Sequence, residues 1–180
     1  MPANLNDLVE TFQGPSRELM TDCAANGTPM VPFYTDRYPR SQAKLWRQSR
    51  SGLEIRTGLE WLRGAGGLWL AALIESVGPQ FGRWATNAVP GNSWHQWGEG
   101  LDSYANVDGR ISWDTVPGQV GGPGDEYYRF YADRAVELGL TPLGPTLGDW
   151  VHVQARPESA PSRVMSWPEI DAEMRRRFKP

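Results

Sequence analysis

The stretch TNAVPGNSWHQWGEGLDSYANVDGRISW, Thr86–Trp113, decides the fold class. Pro90-Gly91, Gly98, Gly100 and Asp108-Gly109 cut it into short segments, a pattern that suits turns and small antiparallel strands. The sheet is therefore expected here. On either side the spacing changes to that of helices. Upstream, Glu54 to Ile74 predicts two short helices separated at Gly64 to Gly67, and Ser41 to Arg50 predicts an amphipathic helix through Ala43, Leu45 and Trp46. Thr28 to Tyr34 is rich in Val, Phe and Tyr and reads as a strand, which Pro29 and Pro32 push toward a sheet edge.

The N-terminal 27 residues read as a helical cap. Leu5, Leu8, Val9 and Phe12 share one helical face, Gly14-Pro15 is expected to break that helix, and a second is expected from Pro15 or Ser16 to Ala25, stopped by Asn26-Gly27. Downstream, Gly121-Gly122-Pro123-Gly124 reads as a flexible loop and Glu126 to Leu138 as a helix. Leu140 to Leu147 reads as a connector, Trp150 to Gln154 as a strand and Arg156 to Ser162 as a linker. Ser166-Trp167-Pro168-Glu169 opens a last helix, about residues 166–178, with a capping-box pattern. No internal repeat and no domain boundary is visible. The expectation is a single α+β domain, a small antiparallel sheet surrounded by helices.

Composition limits the function classes. In 180 residues, 18 Lys plus Arg face 21 Asp plus Glu, so the chain lacks the basic excess on which phosphate-backbone binding depends, and nucleic acid is not an expected partner. The single Cys23 excludes an internal disulfide and is expected in the core. Gly66 to Val77, the most apolar stretch, is too short for a bilayer span, which takes about 20 apolar residues. MPANLNDLVETF has no cationic region followed by an apolar run, so synthesis is expected to end in the cytoplasm without a Sec-type signal. Nine tryptophans offer surfaces for packing or binding; Trp94, Trp97, Trp113 and Trp150 flank the histidines described next, and core packing is the favoured reading of each. The basic run from Arg175 to Lys179 suits the C-terminus of a helix.

The chain has two histidines, His95 and His152, and each lies near a carboxylate. Two imidazoles and one carboxylate give zinc three protein ligands and leave a fourth position open, as catalytic zinc requires. Gly98 and Gly100 let the chain between His95 and Asp102 fold back so that both side chains reach one ion, which favours Asp102 as the ligand. Asp149, three residues before His152, then suits a general base.

The same residues carry a family resemblance. Ser93, His95, Gly98 and Asp102 resemble the Ser-x-His-x-x-Gly-x-x-x-Asp signature of the M15 zinc peptidases, and Asp149-Trp-Val-His152 resembles their acidic-x-x-His element. Arg37, Gln42, Leu45 and Arg50 are similar to an upstream helix signature of that family. The resemblance covers roughly Met30 to Gln154. Ser49 stands where the pattern has Gly, Gly100 where Ala is common, and Gln154 at a position often acidic or His; the helical insert between Arg50 and Thr86 exceeds the compact pattern.

The family includes VanY- and VanX-type D-alanyl-D-alanine carboxypeptidases and dipeptidases and the L-alanyl-D-glutamate endopeptidases of phage endolysins. The resemblance implies a Hedgehog/DD-peptidase-like fold and one catalytic zinc ion held by His95, Asp102 and His152. It further implies Asp149 as catalytic base, Arg37 as the arginine that binds substrate and stabilises the oxyanion, and Ser93 as a hydrogen-bonding group for substrate or for His95. Asp rather than Glu at 149 points to the endopeptidase branch, cutting peptidoglycan between L-Ala and D-Glu. D-Ala-D-Ala carboxypeptidase activity is the alternative, and a non-catalytic wall- or glycan-binding domain the alternative from another class. The expected setting is the bacterial envelope, reached by phage-type release or specialised secretion, by a monomer with peptidoglycan as partner and, for an antibacterial effector, a cognate immunity protein.

Overall fold

The computed structural model describes residues 3–113 and 125–178. In chain order the first elements are α1 (Glu10–Ala25), β1 (Met30–Tyr34), α2 (Pro39–Arg47), α3 (Gly52–Gly64), α4 (Leu68–Ser76), β2 (Gly100–Val107) and β3 (Arg110–Ser112). They are followed by α5 (Asp125–Glu137), β4 (Thr141–Leu143), α6 (Gly144–Leu147), β5 (Asp149–Gln154) and α7 (Trp167–Phe178). The architecture is α+β, a small antiparallel sheet with helices. The chain divides into two compact units, Met1–Asp36 with Trp97–Ser159, and Arg37–Gln96 with Ala160–Pro180. The expected loop at Gly121 to Gly124 lies outside the described residues, as does Lys179 of the basic run.

The first unit holds the sheet, in the order β1-β2-β5-β4 with β3 also paired to β2. Asp108 and Gly109 both take positive φ, 51° and 76°, so the Asp-Gly pair closes the β2–β3 hairpin as its composition predicts. Along β2 the side chains alternate. Leu101, Ser103 and Ala105 are buried, facing a core of Phe12, Leu19, Cys23, Tyr128, Tyr131 and Val153, while Asp102, Tyr104 and Asn106 are half-buried on the other face. Two buried tyrosines of α5 tie that helix to the sheet: Tyr128 Oη accepts from Ala105 N (3.2 Å) and donates to Ser112 O (2.8 Å), and Tyr131 Oη donates to Ser103 Oγ (3.3 Å).

Two expectations fail in this unit. The expected N-terminal helix from Leu5 is a short 3-10 turn, Leu5–Asp7, and α1 then runs unbroken through Gly14-Pro15. A proline inside a helix costs about 3 kcal/mol, but Phe12, Ser16, Leu19 and Cys23 form one fully buried stripe, and burying side chains such as Phe12 and Leu19 returns about 1.5–3 kcal/mol each. Leu140 to Leu147 is not a plain connector. It contains β4, an edge strand on which Pro142 is tolerated opposite Val153, and the one-turn helix α6. The sheet takes β2 and β3 from Thr86–Trp113, and the strands expected at Thr28–Tyr34 and Trp150–Gln154 are present as β1 and β5.

The second unit is helical. Leu59, Leu62, Leu70, Ala71, Ile74, Ile170 and Met174 are buried, with α4 packed against α2, α3 and α7. Gly67, at the start of α4, has no side chain to cap the helix, and the Asp171 carboxylate of α7 does so instead, accepting from Trp69 N (3.2 Å) and Leu70 N (2.8 Å). Ser51 and Glu54 cap α3 reciprocally. At the start of α7, Glu169 accepts from both the backbone and the hydroxyl of Ser166, which supplies the carboxylate half of the expected capping box. The expected linker after Arg156 includes a 3-10 turn, Pro161–Arg163.

Candidate metal centre

Three strands set the metal-capable row. Asp102 on β2 lies directly opposite His152 on β5 and, across a bulge at Phe33, opposite Tyr34 on β1. Residues paired across antiparallel strands share a face, so Asp102 and His152 meet without any loop having to place them. His152 Nδ1 stands 2.9 Å from Asp102 Oδ1, and its Nε2 stands 3.2 Å from Gln154 Oε1. Gln154 is two residues further along β5, hence on the same face. Asp149 is the first, exposed residue of the strand, reached through Gly148, whose φ of 75° turns the chain out of α6.

His95 sits on the 3-10 turn Trp94–Trp97, which leads through Gly98 into β2. Gly98 has a φ of 71°, and a Cβ there would crowd Val9, which fixes glycine at this corner of the signature. The turn itself is held by amides. Gln96 Oε1 accepts from Gly91 N (2.6 Å), and the buried Gln42 accepts at Oε1 from Gln96 Nε2 (3.4 Å) and from the Arg37 guanidinium (3.0 Å). Gln42 Nε2 in turn donates to Ala88 O (2.7 Å) and Thr86 Oγ1 (3.3 Å). Arg37 N donates to His95 O (3.3 Å), so Arg37 is anchored to the His95 turn through its backbone and to Gln42 through its side chain. Ser93 is half-buried, and its carbonyl accepts from Gln96 N (3.0 Å).

Among the described residues His95, Asp102 and His152 converge, each offering a ligand atom, with these atoms within 4.8 Å of one another. Ligands of a tetrahedral zinc ion at 2.0–2.1 Å are separated by roughly 3.3 Å. The donor set, two imidazoles and one carboxylate, is the chemistry zinc takes, and three protein ligands leave a position open for catalysis. His95 and His152 are buried, 2% and 6% exposed. The residues therefore fit the ion. For His152, burial opposes the charged ring, but the hydrogen bond and charge of Asp102, the charge of Asp149 and the Gln154 contact outweigh it and raise the pKa.

The tryptophans divide. Trp94 and Trp97 are buried, and Trp150 packs on Gly144, where a Cβ would meet its ring at 2.5 Å. Trp113 is half-exposed, edge-on to Phe33 with centroids 5.3 Å apart and tilted on Tyr104 at 5.6 Å. Tyr104 follows Asp102 by two residues on the same face of β2, so an aromatic patch adjoins the metal row. The core-packing reading fails for Trp113, which is exposed, and sequence reasoning missed its partners Phe33 and Tyr104, the Gln96 anchor and the Gln154 contact. The i, i+2 spacings Asp102/Tyr104 and His152/Gln154 were the available signal, since alternate strand residues share a face.

The upstream signature also acquires a physical reading. Ser49 has a φ of 59°, the left-handed backbone that glycine adopts at least cost, and its hydroxyl donates to Gly82 O. The Arg50 guanidinium lies over the rings of Trp46 (4.4 Å) and Trp84 (3.9 Å) and donates to Thr86 O (2.9 Å), holding the segment that leads to His95.

No family model matches the chain, and no curated protein matches its sequence. Among solved structures, it is similar to an alanine variant of the vancomycin resistance D,D-pentapeptidase VanY from a VanB-type resistance cassette in complex with Zn(II). The TM-score is 0.44 and the identity 17%, over 82% of this chain and 71% of that one.

Proposed function

We propose that this chain is a zinc-dependent peptidase of the bacterial cell wall that hydrolyses the peptidoglycan stem peptide, with the L-Ala–D-Glu bond as its target. The observation that carries the reading is the convergence of His95, Asp102 and His152, with Asp149 three residues ahead of His152 on the same strand. A closed structural zinc site takes four protein ligands; three with a nearby carboxylate suit catalysis.

His95, Asp102 and His152 would hold the ion. Bound there, zinc supplies Lewis acidity, polarising the scissile carbonyl and lowering the pKa of water. Asp149, exposed at the start of β5, accepts the proton of the attacking water and returns it to the leaving amine. Arg37 donates hydrogen bonds to the oxyanion or to a substrate carboxylate, and its contact with Gln42 fixes the guanidinium for that task. Ser93 contributes a hydroxyl to substrate. The endopeptidase assignment rests on Asp at 149 and on the resemblance of the motifs. The site of action is the envelope, reached by lysis or specialised secretion.

The test is digestion of purified peptidoglycan by the zinc-loaded protein, with and without chelator and beside Asp149→Ala, reading new amino termini by mass spectrometry. Chelator-sensitive D-Glu amino termini are expected. Release of terminal D-Ala alone would reassign the enzyme as a carboxypeptidase, and an intact wall after incubation with folded, zinc-loaded protein would sink the proposal.

A further inference from the structure

Four aromatic rings continue the open face of the sheet beyond Asp102. Val31 pairs with Tyr104, so alternation carries Phe33 to that face, and the bulge between Pro32 and Tyr34 lets the next residue, Tyr34, pair with Asp102 and take the same face. From the other side, β3 ends at Ser112 opposite Ala105, and the following residue, Trp113, reaches Tyr104. Phe33 stands edge-on to Tyr34 (5.9 Å between centroids), to Tyr104 (6.2 Å) and to Trp113 (5.3 Å). The core of this unit lies on the opposite face, behind Leu101, Ser103 and Ala105, and Phe33 and Trp113 each leave 48% of their surface exposed. Core packing therefore does not account for these two rings. Braced edge-on against one another, they form a preset apolar platform with polar tips at its edges.

We propose that Phe33, Tyr104 and Trp113 form a sugar subsite that receives the pyranose ring of the wall glycan next to the scissile peptide. The C–H face of such a ring packs on flat aromatic surface, and its hydroxyl and acetamido rim suits the tyrosine hydroxyl and the indole N–H. Length selects the same occupant. In peptidoglycan one alanine and one lactyl ether separate the sugar from the L-Ala–D-Glu bond, roughly 7 Å when extended. Tyr104 lies two residues along β2 from Asp102, about 7 Å. For a cut between the terminal D-Ala residues the sugar lies roughly 17 Å away, past the patch. The length argument rests on the peptidase reading above, whereas the platform itself rests on the rings.

The test gives the zinc-loaded protein two substrates: the free stem peptide, and the same peptide attached to its disaccharide of N-acetylglucosamine and N-acetylmuramic acid. Peptide-free glycan chains are titrated alongside by calorimetry. Wild type is expected to bind the peptide-free glycan and to show a KM about 10-fold lower for the disaccharide-linked peptide. Trp113→Ala and Phe33→Ala, both at exposed positions and checked for an intact fold by circular dichroism, should lose the glycan binding and the difference in KM together. No glycan binding by wild type, or binding that survives in both variants, would overturn the proposal. So would equal KM values for the two substrates. A dimer in sedimentation that either variant dissociates would give the face to a second copy and overturn it as well. Glycan bound through these rings without cleavage of either substrate upholds the sugar site and sinks the peptidase reading; cleavage of both substrates at equal KM does the reverse.

Discussion

Asp102 and His152 face each other across β2 and β5, with Oδ1 of one 2.9 Å from Nδ1 of the other. The pair is set by strand register: a slip of one residue would send each side chain to the opposite face of the sheet. A metal held by this pair would therefore depend on the integrity of the sheet, and the predictions below separate the two.

Zinc should stabilise the fold through this row. At a free concentration about 100-fold above its Kd, an ion that binds only the folded chain adds about 2.7 kcal/mol, or roughly 5–10 °C in Tm for a chain of this length. Differential scanning fluorimetry with and without Zn(II) should show that gain in wild type and its loss in Asp102→Ala. An equal gain in the variant would remove Asp102 from the ligand set.

Asp149→Ala should separate binding from catalysis. Because the carboxylate is exposed and outside the converging cluster, stoichiometric Zn(II) by elemental analysis should be unchanged. Wall-peptide hydrolysis should drop about 10²–10⁴-fold, the usual contribution of a general base. Retained hydrolysis would assign proton transfer to another group.

Cys23 should be silent until the chain opens. It is fully buried, and burial, with the charge of Asp22 added, pushes its thiol pKa from an ordinary 9.0 up to about 12. Alkylation at neutral pH should therefore proceed only as fast as the protein unfolds. A thiol whose folded pKa is raised leaves stability untouched below the unfolded pKa and costs it above. Stability should fall between about pH 9 and 12 by up to about 1.4 kcal/mol per pH unit. Urea melts of Cys23→Ala against wild type across that range should lack this part of the slope.

Tyr128→Phe should cost about 1–3 kcal/mol, because it leaves the buried Ala105 N–H and Ser112 carbonyl without the phenolic partner while keeping the ring. Chemical denaturation should show a lower midpoint at an unchanged m-value. An unchanged midpoint would mean that the β2–β3 ladder compensates within itself.

Much of the local structure was legible before any tertiary contact was known. The Asp108-Gly109 hairpin followed from the positive φ both residues accept, and the strand at Trp150 to Gln154 followed from alternation. Where local reading failed, packing had overruled it. Pro15 breaks isolated helices, yet the buried stripe from Phe12 to Cys23 carries α1 through it. The segment Leu140 to Leu147, read as a connector, contributes the edge strand β4, where the missing N–H of Pro142 costs little.

By itself the sequence determined the candidate donor types and their order along the chain, because it holds only two histidines, each with a carboxylate nearby. It also determined the corner at Gly98, where a left-handed φ excludes a side chain at low cost. Only the tertiary structure decided that Asp102 and His152, 50 residues apart, stand opposite each other, and that Gln154 is locked by the carbonyls beyond it. Register and amide orientation belong to pairs of strands and to buried hydrogen-bond chains, and no local stretch of sequence encodes a partner that lies on another strand.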